Sequence, residues 1–225
     1  MTDNELMELA LQEAEKALAE GEVPVGAVVA QDGKVLATGH NMTVQMKDPS
    51  AHAEILAIRR ACAAAGDFRI PGAQLYVTIE PCPMCSGAVI LSRIQRLVYG
   101  ASETRTGSAG TVFSILANNP LNPGLVVEGG LLAGRSLELL QEFFRSARAR
   151  RKDEKIRLRD ALTPEEREAR EKEAVAARAR KEAARKAREE RQARQDRKRE
   201  LRRMLRQESA AAGSQDPGFM PPDAP

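Results

Sequence analysis

The sequence runs to 225 residues, enough for one domain of ordinary size or for one domain with an extension. Residues 1–150 carry 13 basic against 16 acidic side chains and residues 151–208 carry 22 against 14, so the formal net charge of +3 conceals a mildly acidic part followed by a basic one. No stretch approaches the ~20 apolar residues of a membrane span, the first 22 residues are acidic with no secretory apolar core, and Cys62, Cys82 and Cys85 are too few for a disulfide framework, which predicts a cytoplasmic chain with no membrane partner.

Residues 4–19 place Leu6, Leu9, Ala10, Ala14, Ala17 and Leu18 at three- and four-residue steps among Glu and Gln, the pattern of an amphipathic helix. Residues 23–30 and 34–40 are β-rich runs joined at Asp32-Gly33, a dipeptide suited to the positive φ of a tight turn, and are expected to pair as an antiparallel hairpin. Residues 41–49 read as a loop. Residues 51–65, rich in Ala, Ile and Leu and followed by Gly66, predict a second helix. A strand over 74–79, a short helix over 83–92, a strand over 96–99, a last strand over 125–127 and a closing helix over 131–148 complete the pattern. Strands alternating with helices imply a three-layer α/β/α domain, with helices on both faces of one sheet, finished near residue 150.

Beyond it, Thr163-Pro164-Glu165-Glu166 combines an N-cap hydroxyl, Pro at the first helical position and Glu at the third, a capping box by pattern. A charged helix from there to about residue 207 would span roughly 65 Å if continuous. It has no a/d heptad seam, so a solvated or partly disordered helix is expected rather than a coiled coil. Residues 209–225 are expected to be disordered.

The chemistry is concentrated in His52-Ala53-Glu54 and, thirty residues on, Pro81-Cys82-Pro83-Met84-Cys85, each opening a predicted helix. Helix N-termini favour thiolates, and His52, Cys82 and Cys85 are three good zinc ligands. Three protein ligands leave the fourth tetrahedral position open, the mark of a catalytic rather than a structural zinc. His40 reads as an ordinary hydrogen-bonding residue and Cys62, mid-helix, as a packing residue, so no fourth ligand is evident. Zinc lowers the pKa of its bound water to about 7, giving a hydroxide nucleophile, and Glu54 at the same helix mouth can act as proton shuttle. A lone Cys-x-x-C would instead suggest a structural metal or a redox site.

These two pieces resemble the signature of the zinc-dependent cytidine/deoxycytidylate deaminase superfamily. Val25-Gly26-Ala27-Val28-Val29, Gly39-His40-Asn41, Asp48-Pro49-Ser50-Ala51, Ser86-Gly87-Ala88, Tyr99-Gly100-Ala101, Arg105-Thr106-Gly107-Ser108-Ala109-Gly110 and Phe143-Phe144-Arg145 are similar, in order and spacing, to the bacterial tRNA-specific adenosine deaminases. The resemblance covers roughly residues 4–150 and implies a cytidine-deaminase-like fold with a central mixed five-stranded sheet. It also implies one Zn2+ per subunit, and hydrolysis of adenosine to inosine at the wobble position of a tRNA anticodon, with tRNA-Arg as the expected tRNA. Asn41 would then hydrogen-bond the flipped base or its ribose, while Asn122 and the loop 103–110, with Arg105, would touch the anticodon stem-loop. A homodimer is implied as well, with helix 86–92 supplying part of the contact. The chain departs from the family pattern at Glu103, usually Asp, at Met42, commonly Arg, and at Asn122-Pro123-Gly124, usually Asn-His-Arg. The expected organisation is a zinc-dependent deaminase domain at 1–150, a basic helical extension at 151–208 and a disordered tail at 209–225.

Two other readings share parts of this evidence. A deaminase of a free base or nucleoside, of guanine or cytosine type, would carry the same zinc motif, and a non-catalytic zinc-stabilised RNA-binding protein would use the extension. The loop 105–110 argues against the first, and retention of Glu54, which is not a metal ligand, against the second. Residues 178–206 hold 14 basic and 5 acidic side chains. Such a run either attracts RNA phosphates or simply keeps a solvated extension soluble. With no aromatic residue between Phe144 and Phe219, any RNA contact there would be independent of sequence and sensitive to salt.

Overall fold

The computed structural model describes residues 1–117 and 120–212, with 201–212 as backbone. The chain divides into a unit Met1–Asp153, which holds every strand, and a second unit starting at Glu154.

The first unit is built on a five-stranded sheet in the order β2-β1-β3-β4-β5. β1 (Gly26–Gln31) pairs antiparallel with both β2 (Lys34–His40) and β3 (Gln74–Ile79), whereas β3, β4 (Arg96–Ala101) and β5 (Val126–Gly129) run parallel. Asp32 and Gly33 have φ of 50° and 71°, the left-handed pair that a two-residue hairpin needs, as the Asp-Gly dipeptide implied. Side chains alternate across the strands, so Ala27, Val29, Leu75, Val77 and Leu97 enter one core and Val28, Ala30, Tyr76 and Val98 another. Helices α3 (Ala53–Ala65) and α4 (Pro83–Leu91) cover the first face, and α1 (Asp3–Ala19) the second. This is the three-layer mixed-sheet fold the sequence implied.

The helix ends explain most of the boundaries. Thr2 caps α1 in a reciprocal pair with Glu5, and Gly66 closes α3 at φ 69°. The second helix begins at Ala53, two residues later than expected, because His52 is its extended N-cap. Within the expected loop 41–49 lies a four-residue helix, α2 (Thr43–Met46), whose own N-cap Met42 supplies no side-chain bond. The buried Glu22 carboxylate caps it instead, accepting from the amides of Val44 at 2.7 Å and Gln45 at 2.9 Å. α5 (Ala133–Asp160) begins two residues later and runs twelve residues further than expected, since strong helix formers continue and no Gly or Pro follows Gly134 until Pro164.

In the second unit, α6 (Pro164–Ala212) opens with the capping box: Thr163 Oγ1 accepts from the Glu166 amide and Glu166 accepts from the Thr163 amide. Residues 209–212, expected to be disordered, belong to this helix, where Ala210, Ala211 and Ala212 carry the strongest helix propensity. The rest of that expected tail, 213–225, lies outside the described residues. Among the described residues no helix is long and apolar enough to cross a membrane.

Candidate active site

β2 and β3 each run antiparallel to β1 and therefore point the same way, so their carboxyl ends share one edge of the sheet. The chain leaving β2 reaches the N-terminus of α3 at His52, and the chain leaving β3 reaches the N-terminus of α4 at Cys82. Two helix mouths separated by thirty residues thus meet above the start of β1, in the crevice where open α/β sheets bind ligands. Gly39 permits the approach on one side: a Cβ there would stand 2.7 Å from the carbonyl oxygen of Ala53. Pro83 at the first helical position fixes the turn on the other.

The ligand atoms converge. Cys82 Sγ and Cys85 Sγ lie 3.6 Å apart, and His52 Nδ1 lies 3.8 Å from the first sulfur and 3.5 Å from the second. Zinc bonds of about 2.3 Å to sulfur and about 2.0 Å to nitrogen, arranged tetrahedrally, give edges of roughly 3.8 and 3.6 Å, so the donor set fits zinc without rearrangement. Among the described residues these three form the cluster able to hold a metal ion.

Electrostatics follow from the crowding. The hydrogen bond with Cys85 and then that with His52, against the opposing effect of burial, bring the Cys82 thiol down to about 4. The same contact with Cys82, followed by burial, pushes Cys85 up. His52 is raised, first by its hydrogen bond to Cys82. Glu54, in the first turn of α3, is 2% exposed, and burial raises its carboxyl above the usual carboxylate range.

These residues open onto a cleft of about 250 Å³ lined also by Val25, Asn41, Glu80, Glu103, Thr106 and Phe144. Asn41 is buried, and its Nδ2 donates to Glu22 at 3.1 Å and to Thr43 at 3.2 Å. Arg105 stands exposed on the neighbouring loop, its amide bonded to Glu103. Asn122 is not among the residues lining the cleft: its Nδ2 donates to the Ile94 carbonyl at 2.8 Å. His40 is held between Glu13 and Glu20 at 2.8 and 3.2 Å, and the Cys62 thiol donates to the Phe68 carbonyl, so neither joins the metal cluster.

Two carboxylates to which the sequence assigned no role shape the cleft. Glu22 holds Asn41, Thr43 and the start of α2 together. Glu80, buried just before Pro81-Cys82, accepts amides from Glu103 at 3.1 Å, Ala109 at 2.8 Å and Thr111 at 3.2 Å, and so ties the loop after β4 to the zinc-ligand turn. A Cβ at Gly107 would collide with that carboxylate, so only glycine lets the loop close on it. An acidic residue at the carboxyl end of a strand, directly before Pro-Cys, was the one signal for Glu80 in the sequence.

Residues 1–101 match the cytidine and deoxycytidylate deaminase zinc-binding region. Fold, donor set and this match define the class: the chain is a zinc-dependent deaminase. A tRNA-specific adenosine deaminase of Bacillus subtilis (strain 168) is 44% identical over 153 residues, which are 68% of this chain and 95% of that protein. A solved structure from a study of A-to-I editing by tRNA:A34 deaminases at the wobble position is 44% identical, with a TM-score of 0.57, and covers 60% of this chain and 99% of its own. A guanine deaminase from Nitrosomonas europaea is 27% identical with a TM-score of 0.57, over 63% of this chain and 84% of its own. The chain belongs to the family of bacterial tRNA-specific adenosine deaminases.

Proposed function

We propose that the chain converts adenosine to inosine at the wobble position of a tRNA anticodon, with tRNA-Arg the expected substrate. The carrying observation is the set of three ligand atoms 3.5–3.8 Å apart beside a buried carboxylate, in a chain related over nearly the full length of a tRNA-acting deaminase. His52, Cys82 and Cys85 would hold zinc, which when bound supplies the Lewis acidity that makes water nucleophilic at neutral pH. Glu54 takes one proton from water as it adds at C6 and delivers it to the ring nitrogen; the proton of the new C6 hydroxyl then passes through Glu54 to the amino group, which leaves as ammonia as the C6 carbonyl forms. Burial suits Glu54 to this exchange, because a carboxyl raised above its ordinary value accepts a proton more readily than a solvated carboxylate does. An unpaired base in an anticodon loop is cheap to flip into such a cleft.

Asn41, its amide nitrogen already committed to Glu22 and Thr43, would present its carbonyl oxygen to the base or ribose. Arg105 and Asn122 would meet the flanking anticodon nucleotides rather than the base. A homodimer with α4 at its contact is consistent with the exposed Met84 and Leu91 on that helix, and cytoplasmic residence with a tRNA substrate.

The test is inosine formation across a panel of tRNA transcripts, with free adenosine, cytidine and guanine alongside, using zinc-loaded protein. Inosine at a single wobble position is expected. The structural likeness to a guanine deaminase favours one competing reading, and turnover confined to free guanine would replace the substrate assignment with it.

A further inference from the structure

The relatives that define the family account for about two-thirds of this chain, and α6 lies in the separate second unit. The distribution of its charge around the helix is uneven. At about 100° per residue, seven basic side chains between Arg180 and Arg199, with Lys181, Arg188, Arg191, Arg194 and Lys198 among them, fall within an arc of about 140° that contains no acidic residue over this stretch of the helix. Glu182, Glu189, Glu190, Asp196 and Glu200 all fall on the remaining surface. Every residue of the helix from 164 to 200 is exposed.

We infer that this arc is a docking surface for the phosphate backbone of RNA, which brings the tRNA substrate to the enzyme without reading its sequence. A helix that serves only to stay soluble gains from opposite charges spaced three and four residues apart and loses from like ones. α6 uses that device off the arc, where Lys172 pairs with Glu168, Arg185 with Glu189 and Lys186 with Glu182. On the arc between 180 and 199 the reverse holds for five of the seven. Arg180, Lys181, Arg188, Arg191 and Lys198 have no acidic residue three or four positions away, and Arg188, Arg191 and Arg194 follow one another at that spacing. This stacking of like charge weakens the free helix and is relieved when a polyanion lies along it. Arginine dominates the row, and its fork suits phosphate oxygens. The alternatives fit less well: between residues 164 and 200 the helix has no apolar face to enter a membrane, and no aromatic side chain to stack on a base. The inference takes its RNA ligand from the proposed editing function.

The full-length chain with Arg188→Gln, Arg191→Gln and Arg194→Gln is compared with a control carrying Arg178→Gln, Lys186→Gln and Arg197→Gln. Both lose three positive charges and keep helix propensity, but the control changes lie off the arc. The probe is a tRNA transcript with guanosine at the wobble position, bound by filter assay between 50 and 200 mM KCl. The arc variant is expected to bind at least tenfold more weakly at 50 mM, with its salt slope reduced by about 2, and the control to stay within threefold of the parent. Equal losses in both variants would mean that net charge alone matters and would overturn the inference. So would unchanged tRNA binding, including the case in which the arc variant loses only its binding to phosphatidylserine vesicles. Because this probe carries no wobble adenosine, failure to form inosine on any tRNA would sink the proposed function and leave this binding result standing.

Discussion

The role proposed for Glu54 is not that of a ligand, and that separation makes it measurable. Glu54→Gln preserves the shape of a buried side chain beside His52 but removes the group that gains and gives up a proton. The variant should retain zinc near one atom per chain by metal analysis, while single-turnover inosine formation falls by about 10² or more. Zinc lost together with turnover would make the residue structural. His52, Glu54, Cys82 and Cys85 were legible in the sequence because the residues of each motif sit within one helical mouth, so spacing alone reports their chemistry. Glu22 and Glu80 were not, since their partners lie 19–23 and 23–31 positions away and only the folded chain brings the amides of α2 and of the loop after β4 to them. Asn122 joins them: the family pattern suggested its contact with RNA, but its bond to the Ile94 carbonyl, 28 positions away, is visible only in the folded chain.

Between elements, one polar link joins α1 to the far edge of the sheet. Arg96 on β4 donates to Asp3 at 2.7 and 2.9 Å and to Glu128 on β5 at 2.8 Å, and the Tyr76 hydroxyl donates to Asp3 at 2.6 Å. The hydrogen bond from Arg96, then that from Tyr76, lowers Asp3 from 3.8 to about 2. A carboxyl depressed by folding stabilises the fold fully above its unfolded pKa and loses that contribution as pH falls through the folded one. Asp3→Asn should therefore lower the thermal midpoint at pH 7 by about 1–3 °C, a small effect because both side chains are partly exposed, and the gap to the parent should close between pH 4 and pH 2. A gap that persists at pH 2 would assign the loss to packing. The alternating strands and the Asp-Gly turn were readable because their signals are local. The length of α5 was not, since nothing marks where helix-forming residues outlast the sheet they begin against, and α2 was hidden because its cap comes from Glu22.

At the level of the whole chain, two units carry opposite charge. Residues 1–162 have a formal net charge of −1, while the full chain has +3, so removing residues 163–225 reverses the sign of a protein whose proposed substrate is a polyanion. α6 buries no side chain between 164 and 200 and so withdraws no apolar surface from water, which means that it adds nothing to the core that melts cooperatively. The two consequences separate cleanly. A chain ending at Leu162 should keep the thermal midpoint of the strand-bearing unit within about 2 °C, measured by near-ultraviolet dichroism so that loss of helix does not dominate the signal. Its kcat at saturating tRNA should match the parent, because His52, Glu54, Cys82, Cys85 and the cleft around them all lie within Met1–Asp153. Its KM for tRNA should rise at low salt and converge with the parent above about 200 mM, where screening removes attraction over distance. A midpoint lower by 5 °C or more would show that α6 contributes to the stability of the first unit, and a KM unchanged at every salt concentration would leave the extension without a part in substrate capture.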